Sequence, residues 1–288
     1  MDHWRITEAL NCPAAMLGVL PELAVLHPQL NVHVFETLPS TNQQAWNLVD
    51  QGAGAGTVVI AQQQTAGRGQ WGREWVSPPG GLYLSIVLEP DIALRDHLLL
   101  TLASAWGIAT CFENFGISVQ LKWPNDLVNQ GYKLGGILAE TRLRGAEDSR
   151  AAQKVPRIEM AVIGVGINWL NPLPPNAISL RQMLPDPVPA NLQHLEGLAA
   201  IALRGILQGY HHWQSQGLLR LIVAYQQKLA NLGQMVTVKG HPGKIVGVSS
   251  TGDLIVSLSK PAEEQVCHLK PGEITLGYGT ACSTRSQV

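Results

Sequence analysis

The sequence predicts an α+β chain, with a large unit of mixed strands and helices followed by a small β-barrel. Three observations carry this. Runs that read as strands recur at residues 57–61, 82–88, 132–141 and 158–167, with clear alternation over 82–88. Two helix-period stretches, 96–114 and 191–213, lie among and after them. After residue 230 the pattern changes to four short alternating runs separated by glycine turns, the mark of a small barrel.

Taken in order, residues 1–32 form a short lead, with helical stretches broken at Pro13 and Pro21. The first strand is predicted at 33–36. Ser40 or Thr41 fits the N-cap of a helix over 43–50. A strand at 57–61 enters a glycine-arginine loop, and a strand at 82–88 leaves it. In the latter, Leu82, Leu84, Ile86 and Leu88 share one face and Tyr83, Ser85 and Val87 the other. The helix at 96–114 precedes a strand at 118–122 that stops at Trp123-Pro124. Strands at 132–141 and 158–167 flank a charged, alanine-rich hairpin excursion over 142–157. A proline-rich crossing, 172–189, leads to a long helix with Leu195, Leu198, Ala202, Leu203 and Ile206 on its buried stripe. A second helix is predicted over 218–230. The barrel strands fall at 235–239, 244–248, 254–258 and 266–269, and the chain ends in a loose tail from Ala281.

Composition excludes several classes. With 288 residues, 45% hydrophobic and 14% charged, the chain has ample material for a core. A net charge of −1 gives no electrostatic footprint for nucleic acid. Cys12, Cys111, Cys267 and Cys282 are scattered, which argues for reduced thiols in the cytoplasm and against a disulfide framework or zinc site. His211-His212 reads as part of a solvated helix face. Neither a membrane span nor a signal peptide is expected.

Three blocks carry the chemistry. Gly67-Arg68-Gly69-Gln70-Trp71-Gly72-Arg73 joins two strands and holds two permanently cationic forks among three glycines. It suits a loop that closes over a small anionic ligand. It also spells Gly-x-Gly-x-x-Gly, but a strand follows it, so the dinucleotide fingerprint fails its context test. Lys122-Trp123-Pro124-Asn125-Asp126 follows an apolar strand, and Pro124 stiffens the turn. A lysine held there suits a carboxylate attacking a phosphate, or equally a surface strand end with Trp123 in the core. Gly135-Gly136 inside a strand marks either a bulge or an apolar ligand lying on the sheet. Gly164-Val165-Gly166-Ile167-Asn168 repeats the idea on the next strand. No His-Asp pair accompanies Ser40 or Thr41, so caps are favoured over nucleophiles.

The order of Ser-Thr-Asn at 40, Gly-Arg-Gly-x-x-Gly-Arg-x-Trp at 67, Lys-Trp-Pro-Asn-Asp at 122, Lys-Leu-Gly-Gly-Ile-Leu at 133 and Gly-x-Gly-x-Asn at 164 resembles the biotin protein ligases over residues 33–278. That resemblance implies a mixed β-sheet backed by helices, like class II aminoacyl-tRNA synthetases, over 33–230, and an SH3-like barrel over 231–280. It implies an ATP-dependent ligase that forms biotinyl-5′-adenylate. The biotinyl group then passes to a lysine of a biotin carboxyl carrier protein. Biotin, ATP and Mg²⁺ are the implied ligands, with no metal ligands assigned.

By motif, Lys122 and Arg68 take the catalytic role, offsetting the repulsion of two anions. Ser40, Thr41, Asn42 and Gln64 face the ureido head. Gly135, Gly136, Gly164 and Gly166 line the floor. Gly67, Arg68, Gly69 and Gln70 lie with Lys122 about the carboxyl. Arg73, Trp75, Asn125, Lys133 and Asn168 face the nucleotide. Gln70 departs from the family, in which many members carry arginine there. The lead is shorter than the winged helix that some members use to bind operators, so a dedicated ligase is expected, with neither nucleic acid nor membrane as partner. A lipoate or octanoate transferase, a biotin sensor and a non-catalytic adaptor are the alternatives. Either 82–88 or 158–167 is offered as an edge strand through which a homodimer can form.

Overall fold

The computed structural model describes residues 1–24, 29–144, 155–259 and 265–278. Eight strands build one mixed sheet. They are β1 (Asn31–Leu38), β2 (Thr57–Gln64), β3 (Leu82–Leu88), β4 (Ile92–Ala93), β5 (Gln120–Lys122), β6 (Asp126–Asn129), β7 (Tyr132–Leu143) and β8 (Arg157–Ile167). The order is β1-β2-β3-β8-β7-β6-β5, with β4 paired to β8. Among the described strand pairs of this sheet, only β1–β2 is parallel.

Alternation along the strands decides what covers each face. Val58, Ile60, Leu84, Ile86, Ile163 and Val165 join the main core under α3 (His97–Glu113) and α4 (Leu195–Gln216). Val59, Ala61, Val87 and Val162 form a second cluster with Ala45 and Trp46 of α2 (Thr41–Asp50). The whole of β3 is therefore buried, and α3 is buried all round from Leu98 to Phe112. Among the described residues no helix is long and apolar enough to cross a membrane.

Glycines let α3 and α4 touch. A Cβ on Gly107 would sit 2.0 Å from the Gly205 carbonyl oxygen, and one on Gly209 would sit 2.0 Å from that of Ala103. Both obstacles are backbone and cannot rotate away. Gly209→Ala is expected to destabilise the fold by about 1–3 kcal/mol. Its thermal midpoint should drop several degrees; an unchanged midpoint would mean that the helices separate freely.

The remaining helices are α1 (His3–Leu10), in the lead, and α5 (Leu218–Gln227). β9 (Met235–Val238), β10 (His241–Val248), β11 (Leu254–Leu258) and β12 (Gln265–Leu269) form an antiparallel sheet in the order β12-β11-β10-β9. Among the described residues β9 and β12 do not pair, so this sheet is open and the expected barrel is not closed. It is docked by the Trp123 indole, which donates to the Gly252 carbonyl at 2.8 Å, and by Gln226, which accepts from the Val248 amide at 2.8 Å.

Three expectations change. Strands 82–88 and 158–167 are interior, not edges, because β2, β7 and β8 enclose them; the open edges are β1 and β5. His212 is not on a solvated face, since its ring packs on Trp106 with centroids 4.4 Å apart. Asp126–Asn129 is a strand that the sequence reading missed. The predicted hairpin is present as the β7–β8 pair; residues 145–154 of its excursion, the tail from Ala281 and Cys282 lie outside the described residues.

Candidate active site

A cavity of about 510 Å³ opens at one end of the large sheet. That size accommodates a small organic ligand. Its walls come from the α2 N-terminus, the glycine-arginine loop, the β5–β6 turn, β7, β8 and residues 271–276 that follow the small sheet.

One end is a polar ring. α2 begins at Thr41 because Ser40 is extended, although the Ser40 side chain makes no cap bond. The Gln64 side-chain oxygen Oε1 accepts from the Thr41 backbone amide at 2.8 Å and hydroxyl at 3.2 Å. The Gln64 side-chain Nε2 donates to the Ser77 hydroxyl at 2.8 Å. The Ser85 hydroxyl, fully buried, lies 2.8 Å from Thr41 Oγ1 and 2.6 Å from Asn42 Oδ1. Asn42 donates in turn to Glu140 Oε2 at 3.1 Å. The same oxygen accepts from Trp46 at 3.0 Å and Arg68 at 3.2 Å. Ser85 and Glu140 were missed from sequence. The available signal was a polar residue inside an otherwise apolar strand, and a carboxylate within β7.

The floor is glycine. Gly136 and Gly166 are paired across β7 and β8, and the Trp75 indole covers both. It stands 2.4 Å from where a Gly166 Cβ would lie. The Trp75 N–H has no partner among the described residues. The loop itself is a miniature hairpin: Gly69 donates to the Arg73 carbonyl at 2.7 Å and Trp75 to Gly67 at 2.9 Å. Trp71 sits at its tip with φ +62°.

The other end is cationic. Lys122 is 8% exposed, with its ammonium 3.5 Å from Asp126 Oδ2. Lys133 reaches Asp126 Oδ1 at 2.8 Å. Tyr278 donates to Asp126 Oδ2, and its ring centroid lies 3.7 Å from the Lys122 ammonium. Burial first, then the Lys133 and Arg73 charges, holds the Lys122 pKa below the usual lysine range; Asp126 opposes this.

Most of the expected site residues line this cavity together, including Ser40, Gly69, Gln70, Arg73, Asn125 and Gly164. Three do not. Gly135 faces away because adjacent strand residues point to opposite faces. Gly67 lines a neighbouring groove between the loop and Leu138 and Glu140 of β7. Asn168 follows the last residue of β8, where alternation ends; its amide donates to the Lys133 and Ile178 carbonyls at 3.2 and 3.3 Å. Asn125 lines the cavity yet spends its amide on the Ile137 carbonyl at 2.9 Å. Among the described residues no group of three His, Cys, Asp or Glu side chains is placed to hold a metal ion.

Residues 34–168 match the model of the Biotin/lipoate A/B protein ligase family. The chain is 39% identical over 135 residues to the bifunctional ligase/repressor BirA of Bacillus subtilis (strain 168), a match covering 46% of this chain and 38% of that protein. It thus spans well under half the length of the first relatives it matches. It is 28% identical over 242 residues to the biotin–[acetyl-CoA-carboxylase] ligase of Paracoccus denitrificans, covering 79% of this chain and 93% of that one. The apo structure of biotin protein ligase from Aquifex aeolicus shares the fold, with a TM-score of 0.63 at 22% identity, covering 87% of this chain and 100% of that one. A mixed sheet, a glycine floor and paired cationic connections thus coincide with the segment, residues 34–168, that is similar to the Biotin/lipoate A/B protein ligase family.

Proposed function

We propose that the chain joins biotin to ATP, giving biotinyl-5′-adenylate and pyrophosphate, and then transfers the biotinyl group to a lysine of a biotin carboxyl carrier protein. The observation that carries this reading is the pairing of a polar ring with a buried ammonium at opposite ends of one cavity. A ureido head offers both donors and acceptors to Thr41, Asn42 and Gln64, which Ser85 supports from behind. A dithiolane ring offers no hydrogen-bonding group to this polar wall, which disfavours lipoate.

Lys122 then faces the end where the carboxylate and the α-phosphate meet. A carboxylate oxygen attacks the α-phosphorus and the bond to the β-phosphate oxygen breaks. Lys122 and Arg68 offset the repulsion between the two anions and stabilise the charge of the transition state. Arg73, Lys133 and Trp75 line the nucleotide side, and magnesium arrives as the counterion of the triphosphate. Closure of the loop over the mixed anhydride excludes water. The carrier amine attacks the acyl carbon and AMP leaves. The terminal sheet is read as an SH3-like module. The free thiols of Cys12, Cys111 and Cys267 fit a reducing cytoplasm.

Incubation with biotin, Mg-ATP and an apo carrier domain tests the reading: the carrier gains the mass of one biotinyl group. Gain with lipoate in place of biotin, or no gain with either, rejects it.

Gln70 lines the cavity from the loop. Gln70→Arg adds a charge-assisted contact of about 1.5–3 kcal/mol to the adenylate, so its escape slows about tenfold or more. Equal or faster release would remove Gln70 from the retention of the intermediate.

A further inference from the structure

Tyr278 lies beyond the last strand of the terminal sheet, yet it reaches a carboxylate 152 residues earlier. The segment that carries it lines the cavity at Pro271, Gly272 and Leu276. Its position matters because of how the two oxygens of Asp126 are shared. Oδ1 is taken by Lys133 at 2.8 Å. Oδ2 accepts the Tyr278 hydroxyl. Lys122, 3.5 Å from Oδ2, is left at the far limit of hydrogen-bonding distance. A free lysine and a carboxylate four residues apart, both nearly buried, would close to about 2.8 Å. Here Oδ2 already accepts the phenol, which competes with the ammonium for that oxygen. The ammonium instead meets the Tyr278 ring at 3.7 Å, an attraction that orients the cation without neutralising it.

Resting on the biotin-activation reading, we infer that Tyr278 is a positioning residue for adenylate formation: by holding Asp126 Oδ2 it keeps Lys122 out of a tight ion pair and directs its charge to the cavity. The terminal segment thereby takes part in the chemistry of the large domain. Nothing in the local sequence around Tyr278 signals this, since the contact is made by the tertiary fold alone.

Tyr278→Phe separates the two contributions, because it keeps the ring and removes the hydroxyl. The expected kcat for biotin-dependent pyrophosphate release falls about tenfold, with the KM for biotin and the thermal midpoint unchanged. Crystal structures of the wild type and of the variant supply a second readout that needs no activity: the Lys122–Asp126 distance contracts to about 2.8 Å in the variant. A wild-type kcat in Tyr278→Phe, or a rate loss with the pair unmoved, overturns the inference. An inactive wild type overturns the biotin reading instead, and the distance still decides whether Tyr278 holds the pair apart.

Discussion

Lys122→Ala is expected to lower biotin-dependent pyrophosphate release by about 10²–10³-fold, the range for removal of one preorganised group facing transition-state charge. The side chain lies at the cavity end of β5, and its removal leaves Asp126 with Lys133 and Tyr278, so the fold survives. Circular dichroism and the thermal midpoint should match the wild type. The same lysine sets a pH dependence. Burial and neighbouring cations depress its pKa, so rising pH strips its proton earlier than from a lysine in water, near 10.4. Activity therefore falls on the alkaline side below that value. Lys122→Arg, whose guanidinium keeps its proton, should move that limb to higher pH even if its plateau is lower. A Lys122→Ala enzyme with full pyrophosphate release would remove the residue from the mechanism.

Gly164→Ala is expected to weaken biotin binding by about tenfold to a hundredfold, from an overpacking penalty of about 1–3 kcal/mol. Its Cβ would fall 2.2 Å from Asn42 Oδ1. Asn42 has nowhere to go without releasing both Ser85 and Glu140. Gly136 provides the contrast on the neighbouring strand. A Cβ there meets Asp126, Lys133 and Trp75 only at 3.5–3.6 Å, ordinary contact distances. Gly136→Ala should therefore bind biotin far better than Gly164→Ala. Calorimetric titration of both decides the matter; equal affinities would show that the Asn42 network does not shape the pocket.

What could be read in the sequence follows its periodicities. The alternation of 82–88 correctly assigned its two faces, one to the α3–α4 core and one toward α2. The helices, the β7–β8 hairpin and the four terminal strands were legible for the same reason, as each is a local pattern. Rank within the sheet was not. β3 and β8 read like any other apolar strand, and only the tertiary order makes them interior. The site divides in the same way. Motif blocks placed Ser40, Lys122, Gly136 and Gly166 on one cavity. Asn168, assigned by motif, follows the last residue of β8 and does not line the cavity, a detail that the motif alone does not carry. Glu140, with three donors on one oxygen, and Tyr278, arriving from the far end of the chain, owe their roles to contacts between distant segments.

The proposed function requires cations on two connections to bring a vitamin carboxylate and a triphosphate together. A crystal structure with biotin and a non-hydrolysable ATP analogue tests it most directly. The Lys122 ammonium is expected within hydrogen-bonding distance of both the carboxylate and the α-phosphate, with Arg68 turned from Glu140 toward them. Both ligands bound away from Lys122, with Arg68 still on Glu140, would contradict it.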